Sequence, residues 1–126
     1  MSNASLTSSA ESHVYTQLIE QLPILREATT SRVVLNNDLL RFVLFSFDAG
    51  QQLTEHASPR AVVVQLLSGK MEFAVAGEVS ALSPGDLVYL APGERHALTA
   101  IEACHLALTM IDVATVAAAR AEGGTA

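Results

Sequence analysis

Turn residues cut this chain into pieces too short for anything but strands. From Arg32 onward its apolar runs are strand-length and are separated by turn signals such as Asn36-Asn37-Asp38, Asp48-Ala49-Gly50, Ser58-Pro59-Arg60 and Ser68-Gly69. Gly77, Ser83-Pro84-Gly85-Asp86 and Ala91-Pro92-Gly93 continue the series at near-regular intervals. Short apolar segments divided in this way predict an antiparallel all-β barrel or sandwich. Val33-Val34-Leu35 and Leu39 to Phe47 flank the Asn-Asn-Asp turn and read as a hairpin. Met71, Phe73 and Val75 alternate with Lys70, Glu72 and Ala74, the pattern of a strand with one buried and one wet face.

The strand from Arg41 to Phe47 is different, because Phe42 and Leu44 oppose Val43, Phe45 and Phe47. A strand that is apolar on both sides needs the core on one and a second layer or subunit on the other. Half of the 126 residues are apolar, more than one small barrel hides, so a homodimer is expected. The chain divides into a disordered N-terminus (residues 1–12), an N-terminal arm (13–31), a barrel (32–113) and a flexible C-terminal tail (114–126). In the arm, Val14, Leu18, Leu22 and Leu25 recur at roughly helical spacing until Pro23 interrupts them. The tail is rich in Ala and has high helix propensity, but it is short.

Charge removes several partners. The net charge is −6 and the seven Lys and Arg are scattered, so neither nucleic acid nor an anionic membrane surface is expected to bind. The absence of Trp weakens any base-stacking platform. No apolar run approaches the roughly 20 residues that cross a bilayer. Cys104 stands alone, which excludes an intrachain disulfide, and no basic region leads into a hydrophobic segment at the start. A cytoplasmic location is expected.

Two stretches carry the chemistry. In the first, Gly50 is followed by five residues, His56, one residue, Ser58 and later Gly69; the second runs from Gly85-Asp86 through Ala91-Pro92-Gly93 to His96. Each sets a His beside a glycine turn, and inward side chains from distant strands of a small barrel meet near its axis. Imidazole is the commonest protein metal ligand and a good proton carrier near neutral pH.

These stretches resemble the two motifs of the cupin superfamily. The first of those motifs is Gly, five residues, a His-x-His pair, a Glu three or four residues later and a closing Gly. The second is Gly, five residues, a Pro-x-Gly turn and a His. Gly50, His56 and Gly69 fall in the first frame, and Gly85, Gly93 and His96 in the second, with the proline moved by one position. The resemblance covers about the middle 45 residues. It implies a double-stranded β-helix (jelly-roll) barrel, usually a homodimer, with a pocket for a metal or a small organic ligand.

The departures carry equal weight. Ser58 falls where the family has its second His, and Val62 where it has its Glu, so the implied metal-ligand set is incomplete: only His56 and His96 remain. Two imidazoles fall short of the three or four protein ligands of a tight site. The cofactor reading is therefore one divalent transition metal (Fe, Mn, Ni, Cu or Zn) on the two His, or none. The expected pocket comprises His56, His96, Ser58, Thr54, Val62 and Cys104. Alternation turns Gln65, His105, Glu55 and Glu72 outward and gives Thr99 the opposite parity to His96; Glu94 and Asp86 sit in turns. No acid/base pair is visible, and no catalytic residue is assigned. The favoured reading is a module holding a small organic ligand with its two His, ahead of a metal-dependent, dioxygenase-like enzyme and a metal-free isomerase.

Overall fold

The computed structural model describes residues 6–123. Residues 1–5 of the expected disordered N-terminus and residues 124–126 of the tail lie outside the described residues. After a short helix α1 (Leu18–Gln21) come the strands β1 (Thr29–Asn36), β2 (Leu40–Phe47), β3 (Gln52–His56), β4 (Ala61–Ser68) and β5 (Met71–Val75). Then follow β6 (Glu78–Leu82), β7 (Leu87–Leu90), β8 (His96–Ala100), β9 (Cys104–Ile111) and a closing helix α2 (Val113–Gly123). The Ala-rich stretch thus takes the helical form its propensity favours, and the first strand begins at Thr29, ahead of the sequence boundary at residue 32.

All ladders are antiparallel. One sheet has the order β1-β2-β9-β4-β7 and the other β3-β8-β5-β6, the two facing layers of a jelly roll. Alternation decides what lies between them. Val62, Val64 and Leu66 of β4, Cys104 and Leu106 of β9, and Met71 and Phe73 of β5 point inward and are almost fully buried.

The outer face of β2 is covered by the chain itself. The N-terminal arm crosses it, the Oγ of Ser46 donating to the carbonyl of Pro23 at 3.3 Å. Beside it, Nε2 of His105 donates to the carbonyl of Leu22 at 2.7 Å. Leu44, which shares the parity of Ser46 on β2, is only 1% exposed. His105 faces away from the barrel core, as alternation predicts, yet it is buried because the arm lies on it. Farther along, Leu40 and Phe42 share an open apolar groove with Tyr15 and Leu18 of the arm and with Val34 and Leu35 of β1.

Candidate functional site

His56 ends β3 and His96 begins β8, and their backbones are direct cross-strand partners. A β-bulge sets the orientation of His56. Leu53 pairs with Leu98 and His56 with His96, so three steps along β3 match two along β8. The extra residue breaks the two-residue period and puts Leu53 and His56 on the same, inward face. Thr54, which simple alternation places beside His56, is exposed instead.

The ring centroids of His56 and His96 lie 4.2 Å apart with the planes tilted by 59°. His96 is 5% exposed and stacks on Phe73 at 5.9 Å and 4°. His56 stands at the rim, exposed. In both rings the backbone two residues earlier holds Nδ1: the carbonyl of Thr54 at 2.8 Å from His56, and that of Glu94 at 3.1 Å from His96. A carbonyl oxygen only accepts, so Nδ1 carries the hydrogen in each neutral ring and Nε2 keeps its lone pair. The site therefore offers two adjacent imidazoles whose Nε2 atoms are acceptors.

Below them the barrel is nearly full. The cavity measures about 10 Å³, room for no more than about one water. Besides the two His it is lined by apolar side chains from both sheets: Phe45, Val64, Leu106 and Leu108 on one side, Leu53, Phe73 and Leu98 on the other.

Burial holds the pKa of His96 below its ordinary value of 6.5, and the neighbouring His56 acts in the same direction against the Glu94 carbonyl. The sign of the linkage follows. Below about pH 6.5 the unfolded chain binds a proton on this ring that the folded chain does not, so acid favours unfolding. Stability is expected to fall as pH drops through and below that value, and the His96→Gln variant to lose this part of the slope. Urea unfolding of both proteins between pH 5 and 8 checks it; identical slopes would place the acid sensitivity elsewhere.

The other residues of the expected pocket lie outside this cavity lining. Thr54 contributes its carbonyl to His56 and not its hydroxyl. The Oγ of Ser58 accepts from the backbone of Arg60 at 3.1 Å, and its carbonyl accepts from Gly93 at 2.7 Å, tying the β3–β4 loop to the β7–β8 loop. Val62 is packed in the core. Cys104 is fully buried, and burial pushes its thiol up to about 11, so it is protonated and unreactive at neutral pH. Glu55 pairs with Arg95 at 3.0 Å on exposed surface, and Glu72 is exposed.

The donor set does not fit a tightly held metal ion. Among the described residues no three His, Cys, Asp or Glu side chains come together, and the cavity beside the two imidazoles is apolar. Sequence reasoning missed the bulge and with it the inward turn of Leu53. The one available signal was Leu53 itself, the lone apolar residue of Gln51 to His56.

The family model for the Cupin domain matches residues 43–112. No curated protein matches the chain. Among solved structures, a conserved protein of unknown function from Streptococcus pyogenes is 28% identical with a TM-score of 0.73, covering 89% of this chain and 96% of that one. A cupin superfamily protein from Desulfitobacterium hafniense is 19% identical with a TM-score of 0.71, over 81% of this chain and 94% of the other. A salicylate 1,2-dioxygenase from Pseudoaminobacter salicylatoxidans, described as adducts with gentisate, is 18% identical with a TM-score of 0.65; the match takes in 81% of this chain but 30% of that enzyme. The last two likenesses are likenesses of fold.

Proposed function

The chain belongs to the cupin family, and from that premise we propose that it is a small-molecule-binding module whose ligand is held at the barrel mouth by His56 and His96. The observation that carries this reading is the pair of Nε2 acceptors, each fixed by a backbone hydrogen bond on the opposite ring nitrogen. Two acceptors in an apolar setting suit a ligand with an O–H or N–H donor and a hydrophobic body. The cavity is too small to take that body, so the ligand rests on the exposed edge of His56 and reaches the cavity with its tip only. An acid partner for proton shuttling is missing: no carboxylate lines the cavity among the described residues.

A set of small phenols, aliphatic alcohols and carboxylic acids, screened by thermal shift, tests the proposal. His56→Ala suits the control, because an exposed ring is expected to cost less than about 1 kcal/mol of stability. A phenol or alcohol is expected to stabilise the wild type and to lose at least about tenfold in affinity in the variant. Elemental analysis of untagged protein runs beside it. Stoichiometric Fe, Mn, Ni, Cu or Zn that disappears with His56→Ala would overturn the proposal in favour of a metalloenzyme.

A homodimer is part of the same reading, supported by the open apolar groove in which Tyr15 and Leu18 of the arm face Leu40 and Phe42. Light scattering is expected to give twice the mass of one chain, and Phe42→Asp to halve it. A wild-type monomer at micromolar concentration would remove this part. A cytoplasmic location accords with the single, buried cysteine.

A further inference from the structure

A second polar site lies at one end of the larger sheet, where the β1–β2 turn, the start of β4 and the β9–α2 junction meet. Its volume is about 410 Å³, and Arg41, Arg60, Asp38, Asp112, Asn36 and Thr115 line it. It shares no lining residue with the histidine cavity.

Arg41 is the unusual member. On β2 it has the parity of Val43, Phe45 and Phe47, the barrel-facing side, at the strand's end. Its Nε is buried with no hydrogen-bond partner. Among the described residues neither its guanidinium nor that of Arg60 comes within ion-pair or hydrogen-bond distance of an acceptor, although the charge of Arg60 helps to lower the pKa of Asp112 across the site. Two carboxylates are near, but Asp112 spends Oδ1 on the amide of Thr115 at 3.0 Å, capping α2. Asp38 is exposed in the β1–β2 turn. Arg41 is half-buried, but a buried Nε–H without an acceptor is a donor that still lacks its partner.

We propose that Arg41 and Arg60 form a binding site for a small oxyanion, a carboxylate or a phosphate monoester, separate from the histidine pair. The planar guanidinium presents parallel donors matched to such oxygens, and the side-chain amide of Asn36 offers a neutral donor beside them; Thr115 is taken up by Asp112. With two carboxylates in the same lining the site has no strong net charge, so recognition rests on short-range hydrogen bonds and not on a long-range field.

The test is titration of the full chain with inorganic phosphate and, separately, with succinate, each against sodium chloride at equal ionic strength, followed by amide chemical shifts. Saturable shifts centred on residues 36–41, 60 and 112–115 are expected with one or both anions, and the anion that saturates identifies the chemistry. Affinity is expected to fall at least about tenfold in Arg60→Gln, which removes a loop side chain, and in Arg41→Gln. His56→Ala leaves it unchanged, which separates this site from the proposed ligand site. Shifts no larger than those with chloride, or affinity unaltered in both arginine variants, would overturn the proposal.

Discussion

Gly69→Ala is expected to cost about 3–5 kcal/mol, a large share of the stability of a domain this size. Gly69 makes the turn from β4 to β5 at φ +80°, where L residues are strained. An added Cβ would stand 2.2 Å from the carbonyl oxygen of Ala103 and 2.6 Å from Cβ of Cys104. Neither neighbour can yield easily, since one is backbone and the other is fully buried at the start of β9. Gly93 supplies the control. Its φ is +84°, but a Cβ there meets nothing within 4 Å, so Gly93→Ala carries only the conformational strain of about 1–2 kcal/mol. Urea midpoints of the two variants separate the terms. Equal losses would mean that the close approach to β9 plays no part in the need for glycine.

Phe73→Ala is expected to cost a similar 3–5 kcal/mol and to change what the barrel accepts. Phe73 is 1% exposed in the middle of β5, forms part of the cavity wall and lies parallel to the ring of His96. Its removal takes away the surface on which His96 rests and enlarges an apolar space of about 10 Å³. Apolar cavities of sufficient size stay dry and bind small aromatics. Toluene is therefore expected to raise the unfolding midpoint of Phe73→Ala and to leave the wild type unchanged. No response in the variant would show that the two sheets collapse into the vacated space.

Much of the fold was legible because period-2 alternation and turn chemistry are local. The inward sets on β4, β5 and β9, and the outward turn of His105, follow directly from parity. What escaped was non-local or broke the period. The bulge before His56 reverses parity, so Thr54 leaves the cavity side and Leu53 joins it. The arm over β2 meets part of the demand for a second layer from within the chain, through carbonyls of Leu22 and Pro23 that sequence alone cannot pair with His105 and Ser46. Arg41 opens a strand whose remaining residues read as almost wholly apolar, and its unpartnered Nε is visible only in three dimensions.

The meeting of the two histidines was legible to a comparable depth; that they hold a ligand is a proposal. Spacing in two separate stretches pointed to His56 and His96, and the structure sets their rings 4.2 Å apart. Which nitrogen each ring leaves free depends on the carbonyls of Thr54 and Glu94, and so on backbone geometry that no motif spells out. The near-filled cavity likewise comes from how two sheets interlock, which residue types alone do not set.

The most direct measurement is the imidazole ¹⁵N spectrum of the wild type near pH 7.5, recorded without and with phenol. In the free protein both His56 and His96 are expected to show a protonated Nδ1 and a bare Nε2. Phenol is expected to move both Nε2 signals toward those of a hydrogen-bonded acceptor, and His56→Ala to abolish the change at His96. Nε2-protonated rings in the free protein, or Nε2 signals indifferent to phenol and to every donor-bearing compound of the thermal-shift set, would contradict a ligand site built on these two histidines.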